Sequence, residues 1–268
     1  MAEFITIKID PVYPNRKFNS PAKKYTNMII GFRAINEAID ADKEFDKILV
    51  QKGLKGDLFN QLRARLQDFN IPYQLVPLEK IEQLSRGNHQ GVIGFTSPIA
   101  FQPLEEIIQM TFESGETPKL IYLDGITDVR NFGAICRSAE CNGFHAVVIQ
   151  EKGAAQVNED AVKTSAGALF HIPLCRVANA ARAIEIFQNA GIAMVGCTEK
   201  TEVFIEAVNM SGPTCIIMGS EDTGISNDFI RKADSLGKIH MEGKTSSLNV
   251  SVAAGIIMYE LNRQRRIK

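Results

Sequence analysis

The sequence predicts an α/β protein in two parts, a small α/β unit followed by a larger domain built on a parallel sheet. Three observations predict it. Residues 120–123, 146–150, 193–197 and 215–218 are continuous apolar runs, the pattern of strands buried on both faces of a parallel sheet. Amphipathic stretches at 132–142, 158–168, 178–190, 227–233 and 247–264 alternate with those runs, as crossover helices do. The chain has 268 residues, of which 45% are hydrophobic, which allows one large domain or two modest ones with a real core.

Taken in order, residues 1–26 read as a basic tail. Lys8, Arg16, Lys17, Lys23 and Lys24 outnumber Glu3 and Asp10, and Pro11, Pro14 and Pro21 work against regular structure. Residues 27–98 form the small unit. Phe32, Ile35 and Ile39 share a helical stripe, and Leu58, Leu62 and Leu66 share another that Asp57 can cap. Strands are expected at 47–51, 73–76 and 91–96, and Pro77 opens a helix where its missing N–H does no harm. Residues 99–118 read as a connector with a short helix over Leu104, Ile107 and Ile108. Residues 119–268 are the larger domain. Its last helix is apolar on two sides, with Leu248, Val252, Ile256 and Tyr259 on one and Val250, Ala254, Ile257 and Leu261 on the other. Such a helix is expected between its own sheet and a partner.

Charge and cysteines narrow the function. The formal net charge is -1, so any contact with a polyanion must come from local patches. The five cysteines (Cys136, Cys141, Cys175, Cys197 and Cys215) are odd in number and lack CxxC spacing. A zinc site or a disulfide framework is therefore disfavoured, and no metal is expected. The start carries no basic segment followed by an apolar one. The longest apolar runs, such as 252–259, fall short of the ~20 residues a membrane helix needs. A cytoplasmic protein without membrane contact is expected.

Three segments of the larger domain carry candidate chemistry. In the first, a buried strand ends, a polar loop follows and a helix begins, with Arg130, Asn131 and Arg137 in or just after the turn. Ligands of open α/β sheets gather at this edge. The second runs from Met218 through Gly219, Ser220 and Glu221 to Gly224. Its glycines let backbone approach a ligand closely. It is neither GxGxxG nor a P-loop, which disfavours a dinucleotide or NTPase site. The third spans Ile239 to Ala254, where Ser246 or Ser247 can cap the terminal helix and Asn249 falls in its first turn.

These blocks read N-x-G-A-I-x-R-x-A over 131–139, G-S-E-x-x-G over 219–224 and S-L-N-V-S-x-A over 247–253. In this order they resemble the three motifs of the SpoU (TrmH-like) branch of the SPOUT methyltransferases. The first part, through residues 30–35 and 88–91, resembles the L30e-like substrate domain of the RlmB subgroup, which modifies large-subunit rRNA. Ser138, Asp222 and His240 depart from residues common in the family; none removes a motif polar group.

The resemblance implies a C-terminal domain with a deep trefoil knot, a homodimer through that domain, and S-adenosylmethionine as cofactor. It implies transfer of the donor's methyl group to a ribose 2′-hydroxyl of RNA, most of all a guanosine of 23S rRNA. The implied catalytic residues are Asn131, Arg137, Glu221 and Asn249, with Asn131 and Glu221 fixing Arg137. Donor-binding loops are implied at Thr198 and Glu199, at Met218, Gly219, Ser220 and Gly224, at Ile239 and Met241, and at Ser247 and Leu248. RNA contact is expected from Arg33, Arg86, Asn88, His89, Gln90 and Arg130. A tRNA substrate, and an RNA-binding module that kept only the fold, stand as alternatives.

Overall fold

The structure, a computed structural model, describes residues 27–69, 71–245 and 247–266. The basic tail and Ser246 lie outside the described residues. The small domain is a four-stranded sheet ordered β1-β4-β2-β3, from β1 (Met28–Ile30), β2 (Phe45–Gln51), β3 (Tyr73–Val76) and β4 (Val92–Thr96). Helix α1 (Phe32–Asp40) buries Phe32, Ile35 and Ile39, as its stripe predicts. Helix α2 (Asp57–Asp68) buries Leu62 and Leu66 but leaves Leu58 exposed. Asp57 does not cap it; the cap position falls to Gly56, at φ +117, and Asp57 is the first helical residue. Pro77 likewise precedes α3 (Leu78–Leu84) rather than opening it.

The larger domain has seven strands in the order β11-β9-β10-β6-β7-β8-β5, every neighbouring pair parallel. Four of them, β6 (Lys119–Asp124), β7 (Ala146–Gln150), β9 (Ala193–Cys197) and β10 (Thr214–Gly219), cover the apolar runs. The others are short: β5 (Phe101–Gln102), β8 (Leu174–Val177) and β11 (Ser235–Gly237). The segment 99–118 thus contributes an edge strand and α4 (Leu104–Glu113), whose Leu104, Ile107 and Ile108 are buried against the sheet.

One face of the sheet is covered by α4, α7 (Ala180–Asn189) and α8 (Asn227–Lys232). The other carries α5 (Val129–Cys141), α6 (Glu159–Thr164) and α9 (Val250–Arg266). The terminal helix divides as its two stripes foresee. Val250, Ala254, Ile257 and Leu261 are buried, while Val252, Ile256 and Tyr259 stay exposed.

A bulge joins the two domains. β2 pairs Phe45 with Thr96 and then Lys47 with Phe95, so Asp46 is the extra residue. Bulges re-aim a side chain, and here the Asp46 carboxylate turns to the larger domain. It accepts from Val157 N at 3.2 Å and from Arg176 Nη2 at 3.2 Å. Arg176 also donates to Phe45 O at 3.0 Å and stacks 3.4 Å over the Phe101 ring. Burial lifts the Asp46 carboxyl above its ordinary range, with Arg176 opposing it.

Candidate active site

The carboxyl ends of β9, β10 and β6 meet the three motif segments. β6 ends in Asp124, which is buried and accepts from Ser226 N at 2.7 Å and from Gln150 Nε2 at 3.0 Å. A carboxylate with both oxygens engaged fixes the loop after β10 from beneath. That loop also closes on itself. Gly224 N donates to Ser220 O at 2.9 Å, and Ser220 Oγ lies 2.8 Å from Thr223 Oγ1. Gly219 must be glycine here: an added Cβ would come within 2.1 Å of the Gly224 carbonyl carbon. Gly224 itself sits at φ +68, which side chains rarely adopt.

Below this loop opens a cavity of about 820 Å³. All ten residues expected at the donor line it: Thr198 and Glu199; Met218, Gly219, Ser220 and Gly224; Ile239 and Met241; Ser247 and Leu248. Cys197, Lys200, Lys238, Val250, Ala253 and Ile257 line it too, and sequence reasoning did not single them out. Burial pushes the Cys197 thiol well above its ordinary range, so it serves as an apolar wall rather than a nucleophile. His240, between two lining residues, does not line the cavity; its ring packs edge-on to Phe204 at 5.1 Å.

Three of the four expected catalytic side chains converge at the rim. Asn131 Nδ2 donates to Glu221 Oε1 at 3.2 Å. Asn249 Nδ2 donates to Asn131 Oδ1 and to Glu221 Oε1, each at 2.9 Å. The helix begins later than expected. Asn249 precedes α9 as its cap, its Oδ1 accepting from Ser251 N at 3.0 Å. The caps expected at Ser246 or Ser247 therefore give way to Asn249, because Asn accepts from the free N–H groups of a first turn. At α5 the cap is Asp128, which accepts from Arg130 N and Asn131 N, both at 2.8 Å.

Arg137 stands apart. Asn131 and Glu221 bind each other and Asn249, not the guanidinium as expected. Six residues along a helix amount to roughly one and two-thirds turns, so Arg137 faces away from Asn131. It is exposed, on the stripe of Arg130 and Cys141, and no described residue offers it a hydrogen bond or an ion pair. Helix α5 packs beside α9: a Cβ at Gly255 would lie 3.9 Å from Ser138 Oγ.

The expected RNA contacts fall into two places. Gly31, at φ +84, sits against the 85–91 loop, where an added Cβ would be 3.4 Å from both Asn88 O and Gln90 Oε1. Arg33, Arg86, Asn88, His89 and Gln90 therefore share one end of the small domain. His89 is part of the loop's scaffold, its Nδ1 accepting from Gly91 N at 3.0 Å. Arg130 belongs to the other domain and lies exposed beside Asn131.

Known proteins share this organisation. Residues 118–259 match the SpoU rRNA Methylase family, and residues 28–102 match the model for RNA 2'-O ribose methyltransferase substrate binding. A protein named as the TrmH family tRNA/rRNA methyltransferase YacO of Bacillus subtilis (strain 168) is 34% identical over 239 residues, which is 88% of this chain and 95% of that protein. A protein of like name from Staphylococcus aureus is 32% identical, over 89% of this chain and 96% of its own. Among solved structures, the SpoU methyltransferase AviRb from Streptomyces viridochromogenes, in complex with AdoMet, is 26% identical with a TM-score of 0.57, covering 90% of this chain and 91% of its own. The A. aeolicus TrmH/SpoU tRNA modifying enzyme is 30% identical with a TM-score of 0.51, covering 61% of this chain and 85% of its own.

Proposed function

The chain belongs to the SpoU rRNA methylase family and is an RNA ribose 2′-O-methyltransferase that uses S-adenosylmethionine, and we propose that its substrate is a guanosine ribose of large-subunit 23S rRNA. One observation carries the choice of substrate: a substrate-binding domain at 28–102 stands ahead of the methyltransferase domain, whereas the tRNA-modifying neighbour covers 61% of this chain. The gathering of Arg33, Arg86, Asn88, His89 and Gln90 at one end of that domain supports RNA contact there. Arg130 would meet the substrate nearer the site. Because the 2′-hydroxyl distinguishes RNA from DNA, the reaction itself selects the polymer.

The residues present fit the donor. A cavity of about 820 Å³ is within the usual range for a cofactor pocket, and glycine-bounded loops let backbone reach it. Bound there, S-adenosylmethionine supplies an electrophilic methyl group. The chain's task is then to hold the ribose oxygen in line with it and to help that oxygen lose its proton; positioning is worth most in such a step. Glu221, pinned by Asn131 and Asn249, would hold the substrate at the rim. Arg137 is a cation without a hydrogen-bond or ion-pair partner among the described residues. A guanidinium stays protonated in proteins, so its role is to bind a flanking phosphate and stabilise the emerging alkoxide. The loops at 198–199, 218–224 and 237–248 meet at this cavity, and we assign to them the trefoil knot of the family.

A homodimer through the C-terminal domain completes the reading. Val252, Ile256 and Tyr259 form an exposed apolar stripe on α9 that a second copy would cover. Ile256→Asp is expected to yield monomers by sedimentation; an unchanged mass would remove α9 from the interface. A cytoplasmic location follows from the proposed substrate. The defining experiment offers labelled S-adenosylmethionine with protein-free 23S rRNA and with bulk tRNA, then maps ribose methylation. Label at one 2′-O position of 23S rRNA supports the reading. Label in tRNA alone overturns the substrate and keeps the chemistry.

A further inference from the structure

A second cavity, of about 520 Å³, lies at the opposite edge of the large sheet, where β6 begins and α9 ends. Helix α9 has 17 residues, so the two cavities are separated by roughly 25 Å of helix at 1.5 Å per residue. We infer that this second cavity binds a phosphate of the RNA backbone, remote from the reacting ribose.

Three cations line it: Lys119, Arg265 and Arg266. Their existing partners leave the charge in place. Arg265 donates to four backbone carbonyls, those of Met210, Thr117, Pro118 and Gly212. Lys119 Nζ donates to Asn142 O at 3.0 Å and Asn262 Oδ1 at 3.2 Å. All six acceptors are neutral. Among the described residues the lining holds one carboxylate, Glu116, and His145 Nε2 engages it at 2.8 Å. His145 is held in turn, since its Nδ1 accepts from Lys119 N at 3.0 Å.

Donors remain for an anion. Lys119 has a third N–H, Arg265 keeps one on Nη1, and the Arg266 guanidinium is exposed and unpaired among the described residues. The crowding of charge has a second sign. Burial lowers the Lys119 pKa, and Arg265 and Arg266 lower it further by repulsion, with Glu116 opposing them. An anion between them would relieve that repulsion. A diester phosphate fits this chemistry: a singly charged group with two free oxygens, offered in series by a substrate the enzyme already binds. With a formal net charge of -1, the chain must draw its hold on RNA from such local patches.

The inference rests on the RNA reading above, and the test separates the two. The full-length protein is titrated with protein-free 23S rRNA and bulk tRNA between about 50 and 300 mM potassium chloride. Compared with it are Arg266→Gln, the double variant Lys119→Gln/Arg266→Gln, and Arg182→Gln. Arg182 lies on α7, across the sheet, paired with Glu105 and Glu185, so it controls for loss of one charge anywhere. Donor affinity, by calorimetry, reports that each variant is folded, and sedimentation that it assembles as the parent does, since Arg266 continues the α9 stripe of Val252, Ile256 and Tyr259. The single variant carries the test if the double does not fold.

The expected result is a fall of about one unit in the slope of log K against log salt for Arg266→Gln. A larger fall is expected in the double variant, with RNA affinity reduced roughly three- to ten-fold near 100 mM, while Arg182→Gln and all donor affinities match the parent. Unchanged slopes with intact donor binding overturn the site. So does an equal fall in Arg182→Gln. Thermal stabilisation of the parent by inorganic pyrophosphate, lost in the double variant while RNA slopes stay equal, would assign the cavity to a small free anion and overturn RNA as its ligand. Failure of the parent to bind either RNA would overturn the inference together with the substrate reading.

Discussion

The junction between the domains and the rim of the donor cavity are both polar networks that tie distant parts of the chain together, and they are built in opposite ways. At the junction, Asp46 and Arg176 have side chains only 9% and 10% exposed. Every contact there ends on the protein itself: Val157 N, Phe45 O and the Phe101 ring. At the rim, Asn131, Glu221 and Asn249 also bind one another, but the network is open to solvent, and Arg137, which faces away from it on the same helix as Asn131, has no partner within the described chain. A closed network spends its donors on holding the fold. An open one keeps donors for a ligand. The difference separates structural polar residues from functional ones more sharply than residue type does.

The contrast is broken most severely by unpairing the junction. Asp46→Ala removes the carboxylate paired with buried Arg176 and leaves only the charges of Glu151 and Glu44 to offset it, which is expected to cost at most about 3–5 kcal/mol. Denaturant unfolding measures it. Replacing both partners with apolar residues of similar volume should cost far less, because the penalty lies in the orphaned charge rather than in the lost pair. A double variant as unstable as Asp46→Ala would mean that packing, not charge, locks the domains.

At the open end the expected loss is in rate. Arg137→Ala is expected to slow methyl transfer by about 100- to 1,000-fold, the scale of removing one donor that stabilises developing negative charge. Donor affinity and thermal stability should hold, since the side chain touches nothing that holds the fold. Turnover at the parent rate would remove Arg137 from the chemistry. Asp124→Asn lies between the two types. It exchanges an acceptor for a donor facing Ser226 N or Gln150 Nε2, a loss of about 1–2 kcal/mol. Because Ser226 ends the cavity loop, the expected readout is a donor Kd raised roughly ten-fold. Equal donor affinity with lowered stability would make Asp124 purely structural.

The sequence made the open site more legible than the closed one. Short motifs sit on loops after apolar strands, and the ten residues that the family resemblance assigns to the donor all line one cavity. The two stripes of α9 also sort correctly into buried and exposed. What escaped were features set by distant contacts. Asp46 falls just outside the strand expected at 47–51, and nothing in the sequence marks the bulge that turns it to a partner 130 positions away. Asn249 reads as part of an apolar helix until Glu221 and Asn131 claim its amide and the helix starts behind it. Sequence reasoning does not single out Asp124, because nothing local reveals the loop it supports. Strands β5, β8 and β11 are two to four residues long, too short for a period to register. The partnerless state of Arg137 is invisible in any motif.

The smallest expected effect concerns a closed network at the far end of α9. Glu260 accepts from Arg263 Nε and Nη2, both at 2.7 Å, and from Gln264 Nε2 at 2.9 Å. Gln264 in turn donates to Val208 O and accepts from Met210 N, so the cluster ties the helix to the 208–210 segment. The Arg263 hydrogen bonds hold the Glu260 carboxyl below its ordinary value, against the effect of burial. A depressed carboxyl in the folded state means that the unfolded chain binds the proton first as pH falls. The stability from this cluster is therefore fully present above about pH 4.5 and is lost on descent through the lower, folded value. Arg263 is nearly half exposed, so screening keeps the contribution to about 0.5–1 kcal/mol. Glu260→Gln should flatten the acid limb of a stability-against-pH curve by that amount and leave the neutral limb parallel to the parent. An acid limb as steep as the parent's would place its proton uptake elsewhere, and the end of α9 would then owe its hold to Gln264 and to the Arg265 contacts with backbone carbonyls.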